Sequence, residues 1–139
     1  MLAAKARALL ITLWAGSLWT IGYVVAPTLF ATLPDRVLAG AIAGSMFTSG
    51  AWISLACGGA LIGVLAISKD VSAQQRKVLY IVVLAMLAVL LANHFGLRPV
   101  MADAKAAGDK ARFGMLHGVS MLMYLAQSVL AVVLVVKNR

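Results

Sequence analysis

Glutamate is absent from this chain, and aspartate occurs only four times. Those four, Asp35, Asp70, Asp103 and Asp109, all fall in polar segments between apolar runs. No carboxylate is therefore placed within an apolar run, whether for general acid–base work or to hold a hard metal ion. A single cysteine, Cys57, rules out an internal disulfide and the multi-cysteine metal sites. It lies within an apolar run and is expected to be an inert small residue. No glycine-rich loop precedes a Lys-Ser/Thr pair, so phosphate-loop chemistry has no signature either. Ser120 lies one turn from His117, but no carboxylate is placed to orient the imidazole. An enzymatic role is not expected.

What the chain has instead is apolar length. Charged residues make up 12% of it and hydrophobic ones 63%, against roughly 25% charged in ordinary globular domains. Four apolar stretches fill it, at 8–34, 37–68, 77–97 and 113–136, and Lys77 is the one charge among them. Each reaches the roughly 20 residues that a helix needs to cross about 30 Å of hydrocarbon. A soluble domain of this size has too little interior to bury four such helices. The expected fold is all-α: a polytopic membrane protein with one domain, 1–139, built as a four-transmembrane-helix antiparallel bundle. Short connections favour that up-down order.

The formal net charge of +8 comes from twelve Lys and Arg in tails and loops. Cations there contact the lipid bilayer and set orientation. No basic stripe with interleaved aromatics exists, so no nucleic-acid partner is expected. Lys5 and Arg7 before an apolar run resemble a signal peptide, but the run exceeds the roughly 7–15 residues of such a segment. It reads as a retained first helix. With the N-terminus cytoplasmic, that side holds Lys5, Arg7, Lys69, Arg76, Lys77, Lys137 and Arg139, seven cations. The other side holds five: Arg36, Arg98, Lys105, Lys110 and Arg112. The excess predicts both termini in the cytoplasm. Pro99 disfavours helix at Arg98 and predicts the end of the third helix. The Ala-rich run after it predicts a short helix on the membrane surface.

Two pairs of glycines, Gly40/Gly44 and Gly59/Gly63, have the spacing that lets helices approach closely. Packing inside one bundle is the expected use; a dimer face is the alternative. Polar residues within the apolar runs are costly without partners. Asn93 and His94 lie at the end of the third run and His117 near the start of the fourth. Antiparallel helices bring these ends together. His117, Ser120, Tyr124 and Gln127 share one helical face, predicted to look inward. The expectation is one polar cluster of Asn93, His94, His117, Ser120, Tyr124 and Gln127. Two imidazoles with a thioether such as Met121 would also suit copper or haem iron. The competing reading is that the histidines fix helix ends and the methionines fill gaps.

WAGSLWTIGYVVAPTLFATLP in the first run resembles the domain-of-unknown-function 4149 family, itself similar to transmembrane protein 205. FGMLHGVSMLMYLAQ resembles that family's helix-four signature at Phe113, Leu116, His117, Gly118 and Ser120. NHFGLRPVM, with Asn93 and Pro99, resembles its third-helix end. Tyr124 departs from the asparagine common there. The resemblance implies a small bacterial inner-membrane protein of four helices. A more distant likeness to copper-resistance D-type proteins keeps copper or haem among the expectations. Three function classes follow: an accessory subunit bound to another membrane protein or to its own copies, a metal- or haem-handling protein using His94 and His117, and a small-solute transporter built from a dimer.

Overall fold

The computed structural model describes residues 1–139. It is all-helical, with four helices long and apolar enough to cross a membrane: α1 (Leu2–Thr32), α2 (Arg36–Ile67), α3 (Ala73–Ala106) and α4 (Lys110–Lys137). Each packs against the next in chain order, and α4 closes the ring against α1. Both termini and the α2–α3 loop share one end of the bundle, called here the terminal end. The α1–α2 and α3–α4 turns form the distal end.

Every helix outruns its uncharged stretch at one end or both. Hydrocarbon thickness sets the length of the apolar run, while the backbone ladder continues as long as caps allow. The caps are side chains between the apolar runs. Asp35 accepts from the amides of Val37 and Leu38, Ser72 from Gln75, and Asp109 from Arg112. Each satisfies N–H groups that open a helix without partners.

The third helix overturns the expectation drawn from Pro99. It does not stop there, and no separate surface helix follows. Arg98 is helical, at φ −61° and ψ −42°, and the helix runs on to Ala106. The reason lies one turn earlier. Leu91–Leu97 is wound as a π-helix, whose wider turn shifts the hydrogen-bond register ahead of a residue that has no N–H to give. The same device precedes Pro27, where Ile21–Val25 is π-helical within α1. The α3–α4 connection is then only Ala107–Asp109. Gly108, at φ +72°, lets its own amide reach Lys105 O while the Asp109 amide reaches Ala104 O. This left-handed glycine closes α3 in a Schellman turn.

The apolar core sits in the terminal half. Trp14 and Leu18 of α1, Leu61 and Leu65 of α2, Leu79, Val83 and Met86 of α3, and Ala131 and Leu134 of α4 pack together there. In the distal half, α1 buries nothing beyond Ile21, and α4 buries nothing before Gln127. At the terminal end Arg7 is buried. It donates to Ser68 Oγ at 3.0 Å, to Asp70 at 2.7 Å and to Asn138 Oδ1. One guanidinium thus ties the start of α1 to the α2–α3 loop and to the C-terminus.

Close packing falls on glycines other than the two spaced pairs. A Cβ on Gly58 would come within 2.6 Å of Leu87 Cδ2, and one on Gly50 within 2.9 Å of Ile21 Cδ1. A Cβ on Gly22 would collide with the Tyr124 ring. Gly59 and Gly63 are exposed, and nothing lies within 4 Å of where their Cβ atoms would stand. Gly40 is also exposed, with Phe30 at 3.9 Å. Of the four, Gly44 alone meets a close neighbour from another helix, Arg98 Nη2 at 3.2 Å. The Gly59/Gly63 pair therefore faces away from the bundle. Sequence spacing shows that two glycines share a face, but not which way that face turns.

Candidate functional site

The polar side chains of the distal half separate into three groups. Asn93 joins α3 to α4: its amide donates to Ser120 O at 3.3 Å, and the Ser120 hydroxyl donates to Asn93 Oδ1 at 2.6 Å. Asn93 is buried. The exchange leaves neither group unpartnered at hydrocarbon depth, where an unsatisfied amide is costly.

Tyr124 centres the second group, between α1 and α4. Its hydroxyl donates to Leu18 O. This lies where α1 begins its π-turn and the Ile21 amide is shared between Ser17 and Leu18. Tyr23 donates to Ser128 Oγ at 2.8 Å, Ser128 to Tyr124 O at 2.8 Å, and Trp19 Nε1 to Ser128 O at 3.2 Å. Phe47 of α2 meets the Tyr124 ring edge-on at 5.2 Å. Gly22 gives the ring its space. Gln127 is buried one turn further on.

His94 belongs to a third group, with Arg98 and Thr48. Arg98 Nη1 lies 3.0 Å from His94 Nδ1 and 3.5 Å from Thr48 Oγ1. A guanidinium only donates, so Nδ1 accepts and the imidazole carries its proton on Nε2. Thr48 in turn donates to Gly44 O at 3.0 Å.

The six-residue cluster expected from the sequence is therefore not assembled as one unit. Asn93 and Ser120 meet, Tyr124 bonds towards α1, and His94 turns to Arg98. His117 is exposed and stacks on Phe113 with ring centroids 5.8 Å apart, because α4 buries no residue at that level. Met121 is 61% exposed on the same helix. These positions do not fit a copper or haem centre. His94 offers Nδ1 to a cation, His117 is exposed and stacked on Phe113, and no group of three or more His, Cys, Asp or Glu converges anywhere in the chain. Soft-metal and haem sites need ligands converging on one point.

Sequence reasoning missed Arg7, Arg98 and Ser128. Both arginines entered the sequence reading only as orienting charges, and Ser128 was not singled out. A signal did exist for Arg7: Asp70 is the only acidic residue at the terminal end.

Four apolar helices and polar side chains paired across their seams define a small multi-pass membrane protein, its outward faces in contact with lipid. The chain belongs to the family described as domain of unknown function (DUF4149), whose model matches residues 9–110. That match includes Asn93 and Pro99 and ends before the α4 segment Phe113–Ser120. No curated protein and no solved structure matches the chain.

Proposed function

We propose that this protein is an accessory subunit of a bacterial inner-membrane complex, with both termini cytoplasmic. It meets its partner, another membrane protein, through the outward face of α2. The observation that carries this reading is the orientation of Gly59 and Gly63. They lie on an exposed face with Ala56 and Ala60, and nothing comes within 4 Å of where their Cβ atoms would stand. In lipid, helices associate by close backbone approach rather than by hydrophobic burial, and small residues are what permit it. A glycine pair that packs nothing within the bundle remains available to a helix from outside. A photo-crosslinking residue at Ala60 tests this in native membranes. A discrete protein adduct, lost in Gly63→Leu, supports the reading. Adducts to lipid alone would overturn it, and an adduct of twice the chain mass would replace the partner by a second copy.

A further inference from the structure

Arg98 is half-buried where α3 leaves its apolar run. The uncharged segment Val78–Leu97 covers roughly 30 Å of helix rise. Arg98 therefore stands at the boundary where lipid phosphates lie. No carboxylate pairs with it, since the chain's one ion pair joins Arg7 to Asp70 at the opposite end. Its two side-chain contacts, to His94 Nδ1 and Thr48 Oγ1, both use Nη1. The Nε and Nη2 hydrogens have no partner in the protein. These two form the side edge of the guanidinium, which matches two oxygens of one phosphate. Gly44 completes the arrangement. Nη2 lies 3.2 Å from where a Cβ on Gly44 would stand, so a larger residue would press on the guanidinium.

We propose that Arg98 binds a phosphate group in the groove between α2 and α3, with His94 and Thr48 as the residues that position its guanidinium. This goes beyond the accessory role and involves a different part of α2. The phosphate belongs either to a phospholipid headgroup or to a soluble anion reaching the same boundary.

Native mass spectrometry of the delipidated full chain, in neutral detergent, tests the site. The probes are phosphatidylglycerol, diacylglycerol as a lipid without phosphate, and inorganic phosphate. Wild type is expected to retain one phosphatidylglycerol and to release diacylglycerol. Arg98→Gln and Arg98→Lys are both expected to weaken retention at least roughly tenfold, since lysine keeps the charge but not the two-pronged edge. His94→Ala should weaken it too, while His94→Gln, which still offers an acceptor to Nη1, should restore much of it. Arg36→Gln, at the same end and outside the site, should change nothing. Should Arg98→Gln fail to fold, Arg98→Lys carries the test. Arg98-dependent binding of inorganic phosphate that displaces the lipid assigns the site to a soluble anion; lipid retention unaffected by phosphate assigns it to the headgroup. Equal phosphatidylglycerol retention by wild type, Arg98→Lys and Arg98→Gln, with no Arg98-dependent binding of inorganic phosphate, would overturn the proposal. Equal retention of diacylglycerol would do the same.

Discussion

Arg7 and Asp70, 63 positions apart in the chain, meet at 2.7 Å and hold the first helix to the α2–α3 loop. The Arg7 side chain is almost wholly buried, and that of Asp70 is 40% exposed. Removing the two partners should therefore have unequal effects. Asp70→Asn leaves Arg7 its contacts to Ser68 and Asn138, whereas Arg7→Ala removes all three at once. Thermal unfolding in detergent should rank Arg7→Ala as the more damaging change.

The same pair predicts a pH dependence. The Arg7 hydrogen bond holds the Asp70 carboxyl below its ordinary value of 3.8. A carboxyl depressed in the folded state binds its proton more readily when unfolded, so acid favours unfolding. The contribution is fully present above the ordinary value and is lost as pH falls through the lower folded value. Melting temperature followed between about pH 6 and 2 should show an acid limb that is shallower in Asp70→Asn. An identical limb in the variant would remove Asp70 from the account.

Asn93 and Ser120 exchange hydrogen bonds between α3 and α4. Interhelical bonds in membranes measure about 0.6 kcal/mol on average and up to about 1.7. Asn93→Ala should cost roughly 1 kcal/mol or slightly more, and Ser120→Ala less, because the Ser120 carbonyl still accepts from Asn93. The double variant should lose less than the sum of the two. Unfolding equilibria in mixed micelles provide the cycle, and strict additivity would show that the two groups do not act together.

Adjacent glycines on α2 give the sharpest contrast. Gly58 is buried against Leu87, and Gly59 faces outward with open space beside it. Gly58→Leu should cost about 1–3 kcal/mol by overpacking. Gly59→Leu should stay within about 0.5 kcal/mol, as surface changes do. Melting of the purified chain separates the two. Equal losses would mean that α2 is rotated from the position described.

How much of this was legible in the sequence depends on which physical signal wrote it. The four helices were legible because hydrocarbon thickness forces long apolar runs. Antiparallel order and the cost of a lone amide placed Asn93 and Ser120 in one expected cluster with His94 and His117, but did not single out the pair. The continuation of α3 through Pro99 was not legible, since a π-turn costs no distinctive residue and the rule for the residue before proline points the other way. Nor was the split between Gly58 and Gly59. Both satisfy a small-residue pattern, and only the rotation of α2, set by all its neighbours together, decides which one is covered. Arg7 and Arg98 were misjudged for one reason: positive charge near a helix end has a generic use in orientation, which masked two specific contacts.

His117 and His94 should respond oppositely to replacement. His117 is exposed and stacks on Phe113 of its own helix, so His117→Gln should leave stability within about 0.5 kcal/mol. His94 accepts from a half-buried guanidinium. His94→Ala withdraws that acceptor and should destabilise by more than His117→Gln does, as measured by melting under the same conditions. A destabilised His117→Gln with a normal His94→Ala would reverse the roles assigned to them.

The orientation of the bundle rests on the distribution of its cations. The terminal end carries Lys5, Arg7, Lys69, Arg76, Lys77, Lys137 and Arg139, and the distal end carries five. Arg7 is engaged within the protein by Asp70, Ser68 and Asn138, and Arg98 by His94 and Thr48. Arg76 also donates to Ala66 O and Ser68 O. Setting all three aside leaves five against four, so a narrow bias survives the removal of internally engaged charges. Because α1 to α4 alternate in direction, one measurement orients them all. A reporter fused after Arg139 or placed within residues 69–76 should read cytoplasmic, and one within Ala107–Asp109 should read external. Moving charge should weaken the result. Lys5→Gln with Lys137→Gln and Arg139→Gln reduces the terminal end to Arg7, Lys69, Arg76 and Lys77, fewer than the five opposite, and should yield mixed topology. A wild-type C-terminus found outside would invert the assignment and place Arg98 and His94 at the cytoplasmic boundary.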